Sequence, residues 1–336
     1  MRTPPKIIID SDIPFIRGVF DNVAEVSYCK GNEITSDTLA EAQALIIRTR
    51  TKCDRRLLQD SKVKFIATAT IGTDHIDSSW CRENGIEVAS APGCNAPGVA
   101  QYVFSSLFKT DFDPATDTLG IIGHGNVGSI VADWANQLGI KTIICDSPKK
   151  ESGENGVEYA DINKLLRESD AVTLHVPLTR DGKYPTYKMI GERELEMMKD
   201  GAVIINSSRG GVIEEKYLKK FLDAGKLTAI IDVWEKEPAI DKSLLAKTFI
   251  TTPHIAGYSL EGKIRGTWMV VKAVENYLGL CGDHSGIPEI KNHETGKMTR
   301  DRIERSYDPI SDSVSLKEAP DSFESLRNHY QYRHEP

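Results

Sequence analysis

The segment Gly123-His-Gly-Asn-Val-Gly constrains this chain more than any other stretch. It follows the apolar run Leu119-Gly-Ile-Ile and opens a helix-patterned run from Asn126 to Leu138. Each glycine at this spacing has its own physical job. Gly123 allows a tight turn, Gly125 lets the backbone approach a pyrophosphate, and Gly128 permits close packing of helix on strand. Asn126 and Val127 begin the helix, whose first N–H groups face the anion. Asp146 ends the next apolar run, 18 residues after Gly128. A carboxylate there suits the adenosine ribose hydroxyls and repels a 2′-phosphate. The segment therefore asks for a parallel α/β sheet and for NAD rather than NADP.

The rest of the chain repeats the same alternation. Lys6-Ile-Ile-Ile, Leu45-Ile-Ile, Lys64-Phe-Ile-Ala and Ile86-Glu-Val read as strands, with helices expected at 13–20, 55–58 and 76–84. Asp111-Phe-Asp-Pro-Ala-Thr-Asp is polar and turn-like, and a second series begins at Thr118. Its strands are Leu119-Gly-Ile-Ile, Lys141-Thr-Ile-Ile, Ala171-Val-Thr-Leu, Ala202-Val-Ile-Ile, Thr228-Ala-Ile-Ile and Thr248-Phe-Ile-Thr. Such βαβ repetition implies parallel sheets covered by helices on both faces. Residues 259–278 carry apolar positions at spacings of three and four, a long helix read as the return crossing into the first domain. From Cys281 onward the chain is polar and charged, which suits disorder or an interaction arm.

With 336 residues there is length for two domains, each with its own core. A net charge of −7 speaks against a nucleic-acid partner but not against a small anion, which responds to local charge. The six cysteines form no C-x-x-C pair, so no metal site is expected, and reduced thiols in a cytoplasm are the simplest reading. Neither a signal peptide nor a membrane-spanning stretch is expected.

Three polar residues stand directly behind strand-like runs: Arg209 in Asn206-Ser-Ser-Arg-Gly, Glu237 in Asp232-Val-Trp-Glu-Lys-Glu-Pro, and His254 in Thr251-Thr-Pro-His-Ile. Ligands of an open parallel sheet bind at the carboxyl ends of its strands. A guanidinium there grips a carboxylate with two parallel hydrogen bonds, and an imidazole moves a proton near neutrality. Asn206 to Arg209 (Asn206, Ser207, Ser208 and Arg209) and Asp232 are also expected to touch the cofactor. Arg48-Thr-Arg-Thr-Lys and Thr68-Ala-Thr-Ile-Gly-Thr-Asp end strands of the first series. Their cations and hydroxyls, Arg48, Arg50 and Lys52 among them, suit a phosphate or carboxylate.

Together these motifs resemble the D-isomer-specific 2-hydroxyacid dehydrogenase family. The likeness runs roughly from Ile7 to Leu280 and rests on the glycine loop, Asp146, His175-Val-Pro, the Arg209 loop, Asp232 to Pro238, and Pro253-His254. Thr68 to Asp77, Pro92-Gly-Cys-Asn-Ala, Tyr102-Val-Phe-Ser-Ser-Leu and His254 to Thr267 match best the branch that acts on a phosphorylated four-carbon hydroxy acid. The resemblance implies two doubly wound parallel-sheet domains: a flavodoxin-like substrate domain at 1–95 and 258–280, and a Rossmann NAD domain at 96–257. It further implies a C-terminal dimerisation region at 281–336, and hence a homodimer. Arg209, Glu237 and His254 take the catalytic roles, with NAD contacts at Asp146, Val176, Ser207, Asp232 and Gly257, and substrate contacts at Thr49, Thr70 and Tyr258. Val176 stands where the family commonly has Thr, so its contact is expected through backbone. Two alternatives stay open on the same scaffold: a different 2-hydroxy acid such as 3-phosphoglycerate, or an NAD(H)-responsive binding protein.

Overall fold

Short aliphatic runs form the strands of two wholly parallel sheets. The computed structural model describes residues 3–153, 156–290 and 296–336. The chain divides into one unit of Met1–Asn95 with Leu260–Asn292 and another of Ala96–Ser259 with His293–Pro336. The region from 281 is thus shared between the two units and does not stand apart.

The first unit holds β1 (Lys6–Asp10), β2 (Glu25–Cys29), β3 (Ala44–Ile47), β4 (Phe65–Thr68) and β5 (Glu87–Ala89). Their order is β2-β1-β3-β4-β5, the flavodoxin-like arrangement. Alternation along the strands feeds two cores. Ile7, Ile9, Ile46, Phe65 and Ala67 pack with Ile264, Val271 and Val274 of the helix Leu260–Leu278. Ile8, Leu45, Ile47 and Ile66 pack on the other side with Leu39, Leu58 and Cys81. Both faces are covered, as a parallel sheet requires. Residues 13–20 form successive turns, not the expected helix. Ile13, Ile16, Val19 and Phe20 are buried at helix-like spacings, but Phe15 at φ 61° and Gly18 at φ 88° break any regular helix. The strand β2 also escaped the sequence reading, because its half-exposed Glu25-Val-Ser-Tyr-Cys lacks an aliphatic run.

The second unit holds β6 (Thr118–Ile122), β7 (Lys141–Cys145), β8 (Ala171–Leu174), β9 (Val203–Asn206), β10 (Thr228–Ile231) and β11 (Ile250–Thr251) in the order β11-β10-β9-β8-β6-β7. Beyond β7, Tyr159 makes a single parallel bridge to Ile144. Counting that bridge as a shortened strand gives the Rossmann order, with its switch point between β6 and β8.

Of the two readings left open for the C-terminal end, disorder does not hold for the described residues from 296. Helices span Arg300–Ser306, Pro309–Glu318 and Phe323–Asn328. Thr299 and Asp308 cap the first two through their side chains. Ile303, Leu316 and Phe323 are fully buried, one apolar anchor per helix. Ser313 Oγ accepts the Thr251 amide at 3.0 Å, so this segment closes the edge of the second sheet at β11.

Candidate active site

Two of the three loop glycines, Gly123 and Gly128, stand where a side chain has no room. Gly123 sits at φ 92°, and a Cβ there would lie 2.5 Å from the His175 carbonyl oxygen. A Cβ on Gly128 would lie 1.9 Å from the Gly123 carbonyl, so helix and strand meet at a distance only glycine permits. At Gly125 a Cβ would meet nothing within 4 Å. That open space lies at the N-terminus of the helix Asn126–Gln137, whose cap position offers no side-chain acceptor. The first N–H groups of this helix remain available to an anion. Asp146 faces the loop: its Oδ2 accepts the His124 amide at 2.8 Å and its Oδ1 accepts the Lys149 amide at 3.1 Å. Across the switch point, burial pushes the His175 imidazole down to about 3, so it is neutral. Val176 is half-buried behind it.

Arg209, Glu237 and His254 follow three adjacent strands, β9, β10 and β11, in register at Asn206, Ile231 and Thr251. Asn206 shapes the first loop. Its Oδ1 accepts the Ser208 amide at 3.1 Å and the Ser208 hydroxyl at 2.8 Å, while its Nδ2 donates to Arg209 O at 3.0 Å. Arg209 Nη1 donates to Ser208 O at 2.8 Å. A Cβ on Gly210 would lie 1.9 Å from Trp234 O, so the Arg209 loop lies directly against the loop after β10. Ser207 Oγ is buried without a hydrogen-bond partner.

Glu237 Oε2 accepts from His254 Nδ1 at 2.8 Å, and its Oε1 accepts the Trp234 amide at 3.0 Å. The second bond fixes the carboxylate that orients the first. His254 sits at φ 59°, a left-handed conformation that costs a non-glycine residue about 1 kcal/mol or more. The surrounding hydrogen bonds hold it there. His254 N donates to Asp232 O at 2.8 Å, and the Asp232 carboxylate accepts the Ile255 amide at 2.7 Å, the Ala256 amide at 3.0 Å and the Thr252 hydroxyl at 2.7 Å. Asp232 is only 1% exposed, so in this structure its carboxylate shapes the turn that carries His254 and Gly257. Burial pushes the His254 imidazole down, but the Glu237 hydrogen bond and charge outweigh it, and the pKa lies above 6.5. Burial pushes Glu237 up, and His254 draws it back below the usual carboxylate value. Nδ1 is committed to Glu237, which leaves Nε2 as the nitrogen for proton exchange.

The sequence reading missed one charged partner. Arg327, on the helix Phe323–Asn328, donates from Nε to the Tyr258 hydroxyl at 3.2 Å and lies 3.9 Å from Glu237 Oε2. No local pattern marks it, because tertiary packing alone brings it there.

In the first unit, Arg48 Nη1 spans that sheet's own switch point to Asp12 O at 2.8 Å. Thr49 and Arg50 are exposed behind β3, and Lys52 pairs with Asp54 at 3.4 Å. Thr70 follows β4 and donates to Gly72 O at 3.0 Å. Asp10, also at this edge, is fully buried with Oδ2 unpartnered, and burial raises its pKa. Among the described residues, Glu275, Cys281 and His284 gather closely enough to surround a metal ion. Glu275 is already bonded to Lys272 Nζ at 2.8 Å and to the Gly282 amide at 2.8 Å, which places a cation where a metal would need none.

Residues 104–256 match the family described as D-isomer specific 2-hydroxyacid dehydrogenase, NAD binding domain. An erythronate-4-phosphate dehydrogenase of Bacteroides fragilis is 46% identical over 98% of this chain and 97% of its own length. One from Yersinia enterocolitica is 38% identical over 98% of this chain and 92% of its own length. Among solved structures, the D-lactate dehydrogenase of Aquifex aeolicus, complexed with NAD and lactic acid, superposes with a TM-score of 0.70 at 28% identity. It covers 82% of this chain and 95% of its own. An NAD-bound 3-phosphoglycerate dehydrogenase of Entamoeba histolytica gives 0.68 at 26% identity, covering 82% and 96%.

Proposed function

The chain belongs to the D-isomer specific 2-hydroxyacid dehydrogenase family, among its erythronate-4-phosphate dehydrogenases, and from that membership we propose its reaction and its catalytic residues. It oxidises 4-phospho-D-erythronate at C2 with NAD, giving (R)-3-hydroxy-2-oxo-4-phosphooxybutanoate for pyridoxal 5′-phosphate biosynthesis. The observation that carries the chemistry is the His254–Glu237 pair, 2.8 Å apart on the same sheet edge as an open glycine loop.

The loop fits a dinucleotide: space at Gly125, an uncapped helix N-terminus, Asp146 at the next strand end, and the unpartnered hydroxyl of Ser207. When bound, NAD accepts the hydride from C2. Gly123, Gly125, Gly128, Asn126 and Val127 hold its pyrophosphate and Asp146 its ribose. Val176, Ser207, Ser208, Arg209, Asp232 and Gly257 complete the proposed contacts. Arg209 grips the substrate carboxylate and polarises the C2 oxygen. His254 Nε2 takes the hydroxyl proton, while Glu237 holds the Nδ1–H tautomer and stabilises the imidazolium that forms. Thr49, Thr70, Tyr258, Arg48 and Arg50 are the proposed substrate contacts.

Two finer features belong to the same proposal. The enzyme works as a homodimer through its C-terminal helices, supported by Ile310 and Val314, one turn apart and exposed on Pro309–Glu318. It works in the cytoplasm, which suits six cysteines held as free thiols. No helix among the described residues is long and apolar enough to cross a membrane.

The test is nicotinamide absorbance with 4-phosphoerythronate, 3-phosphoglycerate and D-lactate at matched concentrations, with 2-oxo acids offered as acceptors for bound NADH. The largest kcat/KM is expected for 4-phosphoerythronate. A larger value for phosphoglycerate would replace this substrate, and turnover of none would end the enzymatic reading.

A further inference from the structure

The turn that follows His254 is held from both sides. On one side, Asp232 accepts the amides of Ile255 and Ala256. On the other, the guanidinium of Arg333 meets the carbonyls of the same turn. Nη1 donates to Ile255 O at 3.1 Å and to Tyr258 O at 3.5 Å, and Nη2 donates to Ala256 O. Nη2 also donates to Gly98 O at 3.1 Å, Nε donates to Gln101 Oε1 at 2.8 Å, and Nη1 shares its hydrogens with the Tyr330 hydroxyl at 3.3 Å. The guanidinium also lies 4.2 Å over the Tyr307 ring.

Arg333 is 9% exposed, and every acceptor it meets is neutral. Removing a guanidinium from water is costly, and donors matched to neutral acceptors in a fixed fork offset that cost, together with the Asp312 carboxylate behind Tyr330 and Tyr307. Its neighbours tie the same place down. His334 O accepts from Gln101 Nε2 at 2.8 Å, and Ser259 Oγ bonds Glu335 Oε1 at 2.6 Å. Arg327 reaches Tyr258 and Glu237 from the same segment.

We propose that Arg333 is a positioning residue for the His254–Glu237 pair: by fixing the carbonyls of residues 255–258 opposite Asp232, it holds the strained turn that sets the imidazole on its carboxylate. The C-terminal segment is then part of the catalytic apparatus and not only a packing element. Arg333 touches neither His254 nor Glu237, so it acts through the backbone. This rests on the reading of His254 as the proton-transfer group.

The experiment follows the His254 imidazole by NMR titration in the full chain, in Arg333→Ala and in Arg333→Lys, beside kcat with 4-phosphoerythronate, NADH affinity and thermal unfolding. The charged groups facing His254 are Glu237, Arg327 and Asp232, and none is altered by these variants. In the unaltered chain the midpoint lies above 6.5. In Arg333→Ala it falls toward 6.5, because the imidazole leaves Glu237. At the same time kcat drops about a hundredfold, the scale of a 1 Å misplacement, with NADH affinity, which rests mainly on the glycine loop, falling far less. Added guanidinium ion restores part of both. Should the alanine variant not fold, Arg333→Lys decides on the same readouts, since an ammonium has three donors and no planar fork. A folded variant with an unmoved midpoint overturns the proposal, whatever its turnover. Because the titration needs no turnover, an unaltered chain that oxidises nothing would refute the proposed function while leaving Arg333 to be judged by its midpoint.

Discussion

Glu237 Oε2 accepts from His254 Nδ1 at 2.8 Å, and the Trp234 amide fixes its other oxygen at 3.0 Å. A carboxylate so held favours the imidazolium and raises the pKa of His254 above 6.5 against the pull of burial. As the base in oxidation, His254 must be deprotonated, so kcat/KM for oxidation falls as pH drops through that raised value. In Glu237→Gln the charge is gone and burial remains, so this limb moves to lower pH. Its plateau falls as well, by about two decades, since general acid–base catalysis contributes that much or more. A pH–rate profile of both forms checks this. An unmoved limb would separate Glu237 from the titrating group.

The same pair makes stability depend on pH at two ends. Glu237 has a lowered folded pKa, so its contribution is present above 4.5 and is lost as pH falls through the folded value. His254 has a raised folded pKa, so its contribution is complete below 6.5 and is lost as pH rises through the folded value. Between pH 4.5 and 6.5 both contributions are complete, and there the unaltered chain should exceed Glu237→Gln in Tm by its widest margin. The gap should narrow at both ends. Thermal scans from acid to mildly alkaline pH measure it, and a constant gap would mean that the pair is not ionised as described.

Arg209→Lys keeps the charge and loses the fork. The loop stays closed through Asn206, whose bonds reach backbone and Ser208 and not the guanidinium. The loss should therefore fall mainly on kcat/KM for the hydroxy acid, by about one to two decades for two charge-assisted bonds, with Tm unchanged and NADH affinity lowered far less. Steady-state kinetics beside NADH titration read this directly. Equal kcat/KM in both forms would remove Arg209 from carboxylate binding.

What was legible in the sequence follows what local patterns encode. Ile7, Ile46, Ile121 and Ile204 sit in aliphatic runs because a strand covered on both faces has no polar side, and such runs announce a parallel sheet without alignment. Gly123 and Gly128 carried steric roles that spacing alone exposes. The C-terminal helices were illegible because each has one large apolar side chain fully buried, Ile303, Leu316 or Phe323, too thin a stripe to give a period. Arg333 looked like any solvated charge near the end of a polar stretch. Its function lies in six acceptors, four of them between residues 98 and 256, and no window of sequence contains them. Asp232 was read as a cofactor contact from its position after β10, and no local pattern announced that its carboxylate also holds its own turn through Ile255 and Ala256.

The glycine loop offers the cleanest separation of folding from binding. Gly125 has φ −85° and ψ −150°, an extended conformation open to any residue, and a Cβ there meets nothing within 4 Å. Gly125→Ala should change stability by no more than about 0.5 kcal/mol, the range of a surface substitution, and so leave Tm nearly unmoved. Its methyl would nonetheless stand in the space a pyrophosphate needs, so NADH affinity should fall by at least about tenfold. Gly128→Ala is the converse case. Its Cβ would lie 1.9 Å from the Gly123 carbonyl, a backbone atom that cannot swing aside. Helix Asn126–Gln137 must then move off β6, which costs about 1–3 kcal/mol as overpacking and lowers Tm together with NADH affinity. Calorimetry and NADH fluorescence titration on the two variants distinguish the cases. If Gly125→Ala binds NADH as the unaltered chain does, the open space is not where the dinucleotide sits, whereas a stable Gly128→Ala would contradict the packing itself.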